Sequence, residues 1–166
     1  MVDSKLAYPL EQVITVKENR VKEAERVVAE KRQALEKEQE KLRQAEEQRD
    51  KAKKHYADKL AQLREKLDTG TNSTEAQQMK VYLKVTQEKM VAEEKKVKDQ
   101  QVQVEQAEKN LEVAKEQLRL KRQEVDKLLN HKADWTKQML FELGRIEAAE
   151  QDEMGSIIFS GKRLRK

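Results

Sequence analysis

Apolar residues recur every seven positions along two stretches of the chain. The first ladder is Ile14, Val21, Val28, Leu35, Leu42, Arg49, Tyr56 and Leu63. The second is Leu83, Met90, Val97, Val104, Leu111, Leu118, Val125, Lys132, Met139 and Ile146. Arg49 and Lys132 alone break the apolar rule. Seven residues make two helical turns, so each ladder predicts a stripe along one face of a long helix. Between the ladders, segment 68–75 (DTGTNSTE) is the one interior cluster of helix-breaking residues. The pattern predicts an all-α fold, a long antiparallel two-helix coiled-coil hairpin.

The boundaries follow from local chemistry. Residues 1–8 read as an N-terminal extension and residues 9–154 as one hairpin domain. Pro9 suits the first turn of helix one, expected over about 9–67. Gly70 can close it in the left-handed conformation. The turn spans 68–74. Helix two is expected over about 75–152, with Thr74 and Gln77 at capping-box spacing. Residues 155–166, apolar between glycines and then basic, read as a flexible tail.

Matching the ladders fixes a register. Antiparallel a-to-d layers require partner numbers to sum to 142, or to a value seven away, and 142 centres the turn on Thr71. Layers then pair Leu63 with Met79, Leu42 with Gln100, Val104 with Glu38, Leu111 with Lys31, Leu118 with Ala24 and Ile14 with Leu128. Most large residues face Ala or a long polar stem that can cover them. Arg49 meets Glu93, a polar core pair of the kind that sets register. Roughly sixty paired residues per helix give a rod about 90 Å long.

Composition sharpens this picture. Of 166 residues, 41% are charged, 36% are hydrophobic and six are aromatic (one Trp, three Tyr, two Phe). That suits a narrow seam better than a compact core. Disorder is the competing reading of so charged a chain, but sustained heptads oppose it. The N-terminus lacks the apolar centre of a signal peptide, and no run is long enough for an integral membrane segment. Without cysteine there are no disulfides or thiolate sites, which fits a cytoplasmic protein. The net charge of +4 resides in Lys162, Arg163, Arg165 and Lys166, and the rest sums to zero. This tail can be a solvated end, a contact for an acidic or anionic-lipid surface, or a nucleic-acid contact.

The register also leaves an end without a partner. Pro9 pairs at about residue 133, and helix two continues beyond it. Trp135, Met139, Leu140, Leu143 and Ile146 share one face there, with Phe141 beside them. Ile157, Ile158 and Phe159 follow, then Lys162 and Arg163. An uncovered apolar stripe marks a binding surface, and Trp, Phe and Arg are frequent interface anchors. Two other readings stand beside partner binding: cover by residues 1–8 through Leu6 and Tyr8, and self-association.

Catalytic and metal constellations are missing. His55 and His131 are far apart, and His131 with Asp134 supplies only two ligands. There is no phosphate loop, no nucleophile–base set and no pocket-forming architecture. A non-enzyme without cofactor is expected. No basic stripe or stacking platform suggests nucleic acid.

With this length, basic balance and longer second helix, the chain resembles the YscO/FliJ family of type III secretion, and most of all its chlamydial branch. The resemblance covers nearly the whole chain and rests on heptad architecture. It implies a central stalk whose terminal end enters the hexameric secretion ATPase and stimulates it. It further implies contacts with the export gate protein and secretion chaperones, at the cytoplasmic face of the apparatus. A general coiled-coil scaffold or chaperone-escort adaptor without ATPase coupling is the alternative.

Overall fold

The computed structural model describes residues 7–163. They form two helices, α1 over Glu11–Thr69 and α2 over Ser73–Arg163, with no strand among the described residues. The hairpin expected from the two ladders is the observed fold.

Each helix end has a local cause. At the start of α1, the Glu11 and Ile14 amides donate to the Tyr8 and Leu10 carbonyls (3.2 and 3.0 Å). Gly70 ends it with φ at +88°, a conformation L side chains rarely adopt. The cap of α2 corrects the expected Thr74–Gln77 box. Asn72 Oδ1 accepts from the Glu75 amide at 2.8 Å, and the Asn72 carbonyl accepts from the Ala76 amide at 3.1 Å. The short Asn carboxamide reaches the third helical amide directly, and Thr74 falls within the first turn. Glu75 also binds Lys66 and accepts from Thr71 Oγ1 at 2.9 Å. The bonds from Lys66 and Thr71 hold the Glu75 carboxyl below its ordinary pKa.

The far end is the second correction. The tail expected to be flexible from residue 155 is helical through Gly155 and Gly161 to Arg163. Glycine inside a helix costs only about 1 kcal/mol, so an isolated one does not break it. Lys162 and Arg163 in the last turn complement the helix dipole. Residues 164–166, with the remaining tail cations, lie outside the described residues.

The chain packs as two units, Arg26–Glu116 and Met1–Glu25 with Gln117–Lys166. In the first, the buried residues are Val28, Ala52, Leu63, Thr86, Val97, Val104, Ala107, Leu111 and Ala114. All occupy a or d positions of the predicted register. Thr86, the buried polar member, donates to the Leu83 carbonyl at 2.8 Å. In the second unit Tyr8, Ile14 and Leu118 are buried, and Val21, Val125 and Leu128 half-buried. No large side chain among the described residues is completely sealed. Lys31, expected opposite Leu111, is exposed.

Cross-helix partners report the register. In the first unit Lys66 pairs with Glu75, and Lys53 with Glu94 at 3.1 Å. In the second, Lys17 pairs with Glu124 (2.8 Å), Lys132 with Glu11 (2.7 Å) and Arg122 with Glu25 (2.9 Å). Lys66 and Glu75 sum to 141, Lys17 and Glu124 to 141, and Lys132 and Glu11 to 143, on either side of 142.

The expected Arg49–Glu93 ion pair does not form. Arg49 Nε binds Asp50 Oδ1 at 3.2 Å, and Glu93 Oε1 takes Lys96 Nζ at 3.1 Å. Both side chains sit partly in the seam, yet their charged heads reach partners at its edge, as long stems allow. A polar crossing between d-position residues in this unit is made by Gln100, whose Nε2 donates to the Glu38 carbonyl (3.0 Å) and to Glu38 Oε2 (2.6 Å). The Gln100 bond is the largest cause of a lowered Glu38 pKa.

Candidate functional site

The candidate site lies in the unit Met1–Glu25 with Gln117–Lys166, where α2 outlasts its partner. Tyr8, just before α1, is buried against α2. Its hydroxyl shares a hydrogen bond with His131 Nδ1 (2.5 Å). Its ring meets Trp135 edge-on, centroids 5.5 Å apart at 64°. The Lys132–Glu11 ion pair closes the same junction. Trp135 is therefore half-buried under local cover by Tyr8, one of the readings the sequence offered for this end. Leu6, the other residue expected to cover it, lies outside the described residues.

Beyond this junction the cover ends. Met139 and Leu143 are half-buried. Phe141 is 68% exposed and Ile146 52%. Every residue from 144 to 163 is exposed. Ile157, Ile158 and Phe159 stand out from the helix, Ile157 at 70%. The Arg163 guanidinium lies over the Phe159 ring, 5.6 Å from its centroid, within cation–π range. Lys162 is exposed beside it. The structure thus divides the predicted site residues. Trp135, Met139 and Leu143 line one face at four-residue steps next to the junction. Ile157, Ile158, Phe159, Lys162 and Arg163 form a separate group on bare helix. Glu147, Glu150, Asp152 and Glu153 lie between the groups.

Sequence reading missed a second apolar surface. In the unit Arg26–Glu116, Val81, Tyr82 and Val85 are exposed near the start of α2 and line a shallow furrow with Thr74, Gln77 and Gln78. The Tyr82 hydroxyl bonds His55 Nε2 at 3.1 Å, and Lys59 Nζ lies 5.6 Å from the Tyr82 ring centroid. Val81 and Val85 sit four apart and off the ladder, which was the available signal.

Among the described residues no three His, Cys, Asp or Glu side chains converge as a metal site. No helix among them is long and apolar enough to cross a membrane. What the arrangement offers is contact surface.

Comparison with known proteins gives this surface a context. The family model described as YscO-like protein matches residues 5–166. A solved structure described as that of a YscO homolog from Chlamydia trachomatis is 46% identical in sequence. The match covers 96% of this chain and 98% of that one, with a TM-score of 0.90. None of the curated proteins compared matches the chain. The two-helix fold, the family match along nearly the whole sequence and the closely similar solved structure agree, and the chain belongs to the YscO-like family of type III secretion.

Proposed function

We propose that this protein is a non-enzymatic central stalk of the type III secretion ATPase. In this reading the unpartnered end of α2 enters the ATPase hexamer and stimulates it, and other surfaces link the ATPase to the export gate protein and secretion chaperones at the cytoplasmic face of the apparatus. The observation that carries the reading is the bare helix over residues 144–163, with Ile157, Ile158 and Phe159 exposed beside Lys162 and Arg163. Apolar side chains held out on an isolated helix suit a partner that surrounds it. A single asymmetric helix inside a ring touches some subunits more than others. Differential contact of that kind shifts the equilibrium among nucleotide states.

The test is ATP hydrolysis by the cognate ATPase with full-length protein and with residues 144–166 removed. That truncation keeps Tyr8, His131 and Trp135, so the hairpin stays folded. Full-length protein should raise the turnover rate and the truncated form should not. Equal stimulation by both would sink the assignment to this end.

A second reading draws on the furrow at Val81, Tyr82 and Val85. A scaffold or chaperone-escort adaptor without ATPase coupling would bind through such a face. Its chaperone capture would survive the same truncation and fail in Val81→Glu/Val85→Glu.

A further inference from the structure

Beyond Ile146 the sequence carries charge in two opposed blocks. Glu147, Glu150, Asp152 and Glu153 form one, with no cation among residues 147–153. Lys162, Arg163, Arg165 and Lys166 form the other. Residues 154–161 (MGSIIFSG) between them carry no charge. The blocks are equal and opposite, four carboxylates against four cations, and Asp152 and Glu153 mirror Arg163 and Lys162 about Ile157 and Ile158.

Within one helix the blocks cannot meet, since even their nearest members, Glu153 and Lys162, are nine positions apart, about 14 Å of helix. A second copy resolves this. Laid antiparallel, two such helices set each acidic block against the other's basic block, twice. Laid parallel, they would stack like charge on like. Met154, Ile157, Ile158 and Gly161 fall at i, i+3, i+4 and i+7, one stripe between the blocks. Gly161 leaves room on it, since a Cβ there meets nothing within 4 Å.

We infer that this end of α2 forms an isologous antiparallel contact with a second copy of the chain, seamed by Met154, Ile157 and Ile158 and flanked by the charge blocks. A pairing centred on Ile157 and Ile158 sets Arg163 of one copy, the last described residue, near Asp152 of the other. The overlap therefore stops short of Leu143, clear of the junction built on Tyr8. About 12 described residues per copy bury less than the ~1,200 Å² of a standard stable interface. The dimer is accordingly weak and reversible, with Kd of about tens to hundreds of micromolar. Salt loosens it, because its flanking pairs are exposed. The contact does not depend on the stalk reading. If both hold, they use the same residues, so self-association and ATPase engagement exclude one another.

Sedimentation velocity from about 5 to about 500 µM tests this. Two charge variants sharpen it: E150K/D152K/E153K and K162E/R163E/R165E. The wild type should associate at low salt. Each variant alone should associate at least about tenfold more weakly, while their equimolar mixture recovers wild-type association to within about threefold. A wild type that stays monomeric throughout would overturn the inference. So would variants that associate as well as the wild type, or a mixture that stays monomeric.

Discussion

Replacing Tyr8 by Ala should loosen one end of the hairpin and leave the other intact. Tyr8 is 6% exposed although it precedes α1. An aromatic side chain buries about 150–250 Å², worth roughly 4–6 kcal/mol at ~25 cal/mol per Å². That figure is an upper bound, because an unfolded chain already shields part of its apolar surface. Aromatic-to-Ala replacements in cores cost about 3–5 kcal/mol. The junction is open on one side and can partly collapse, which favours the low end, about 3 kcal/mol. Tyr8→Phe keeps the edge-on contact with Trp135 and loses only the His131 hydrogen bond, about 1 kcal/mol. The loss should fall on local opening of the unit Met1–Glu25 with Gln117–Lys166. Trp135 is the single tryptophan and touches Tyr8, so its fluorescence reads the junction directly. In Tyr8→Ala the emission should move to the red and become more quenchable. Amide exchange over residues 11–25 should quicken about 100-fold, the equivalent of about 3 kcal/mol. Residues 40–60 should not change. An unshifted emission with exchange within about twofold of wild type would refute the cover assigned to Tyr8.

Two glycine substitutions should act in opposite directions. Gly70→Ala forces a side chain to φ +88° and should lower the urea midpoint by an amount equivalent to about 1 kcal/mol. Gly155→Ala adds a Cβ in open space inside a helix and should stabilise that segment by about 0.8–1 kcal/mol, seen as slower local exchange. The Lys17 bond holds the Glu124 carboxyl below its ordinary value of 4.5. Its contribution is complete above about pH 4.5 and disappears as pH falls through the lowered folded value. Urea midpoints at pH 7 and 3 should therefore differ less in Glu124→Gln than in wild type, and an unchanged difference would discount the pair. In disulfide trapping between Ala45→Cys and Val97→Cys, Arg49→Leu should leave the register intact, since Arg49 binds its neighbour Asp50. Gln100→Leu removes the bonds to Glu38 and should admit pairs one heptad away.

The fold was legible because an antiparallel seam needs little more than a period and a turn. Buried positions from Val28 to Ala114 fall on the ladders or on the d positions between their rungs, and Gly70 takes the left-handed turn its position required. Features set by individual side chains were not legible. The sequence pointed to a Thr74–Gln77 box, and only geometry selects Asn72. Arg49 had several carboxylates within reach, and a long guanidinium is free to take the nearest at the seam's edge. Gly155 and Gly161 looked like a boundary, but single glycines weaken a helix without ending it. The bare end of α2 was visible as unequal ladder length. Cover over Trp135 by Tyr8 was one of three readings of that end, and the sequence could not choose among them because Tyr8 sits outside either helix and follows no period.

The central claim is that the bare end of α2 works inside the secretion ATPase. Photo-cross-linking from defined positions tests it most directly. A photoreactive residue in place of Phe159, 65% exposed on the bare segment, is compared with one in place of Val113, 62% exposed on the paired part of α2. Both proteins are mixed with the assembled cognate hexamer. The account predicts an ATPase adduct from position 159 and little or none from position 113. An adduct from position 113 with none from position 159 would contradict it.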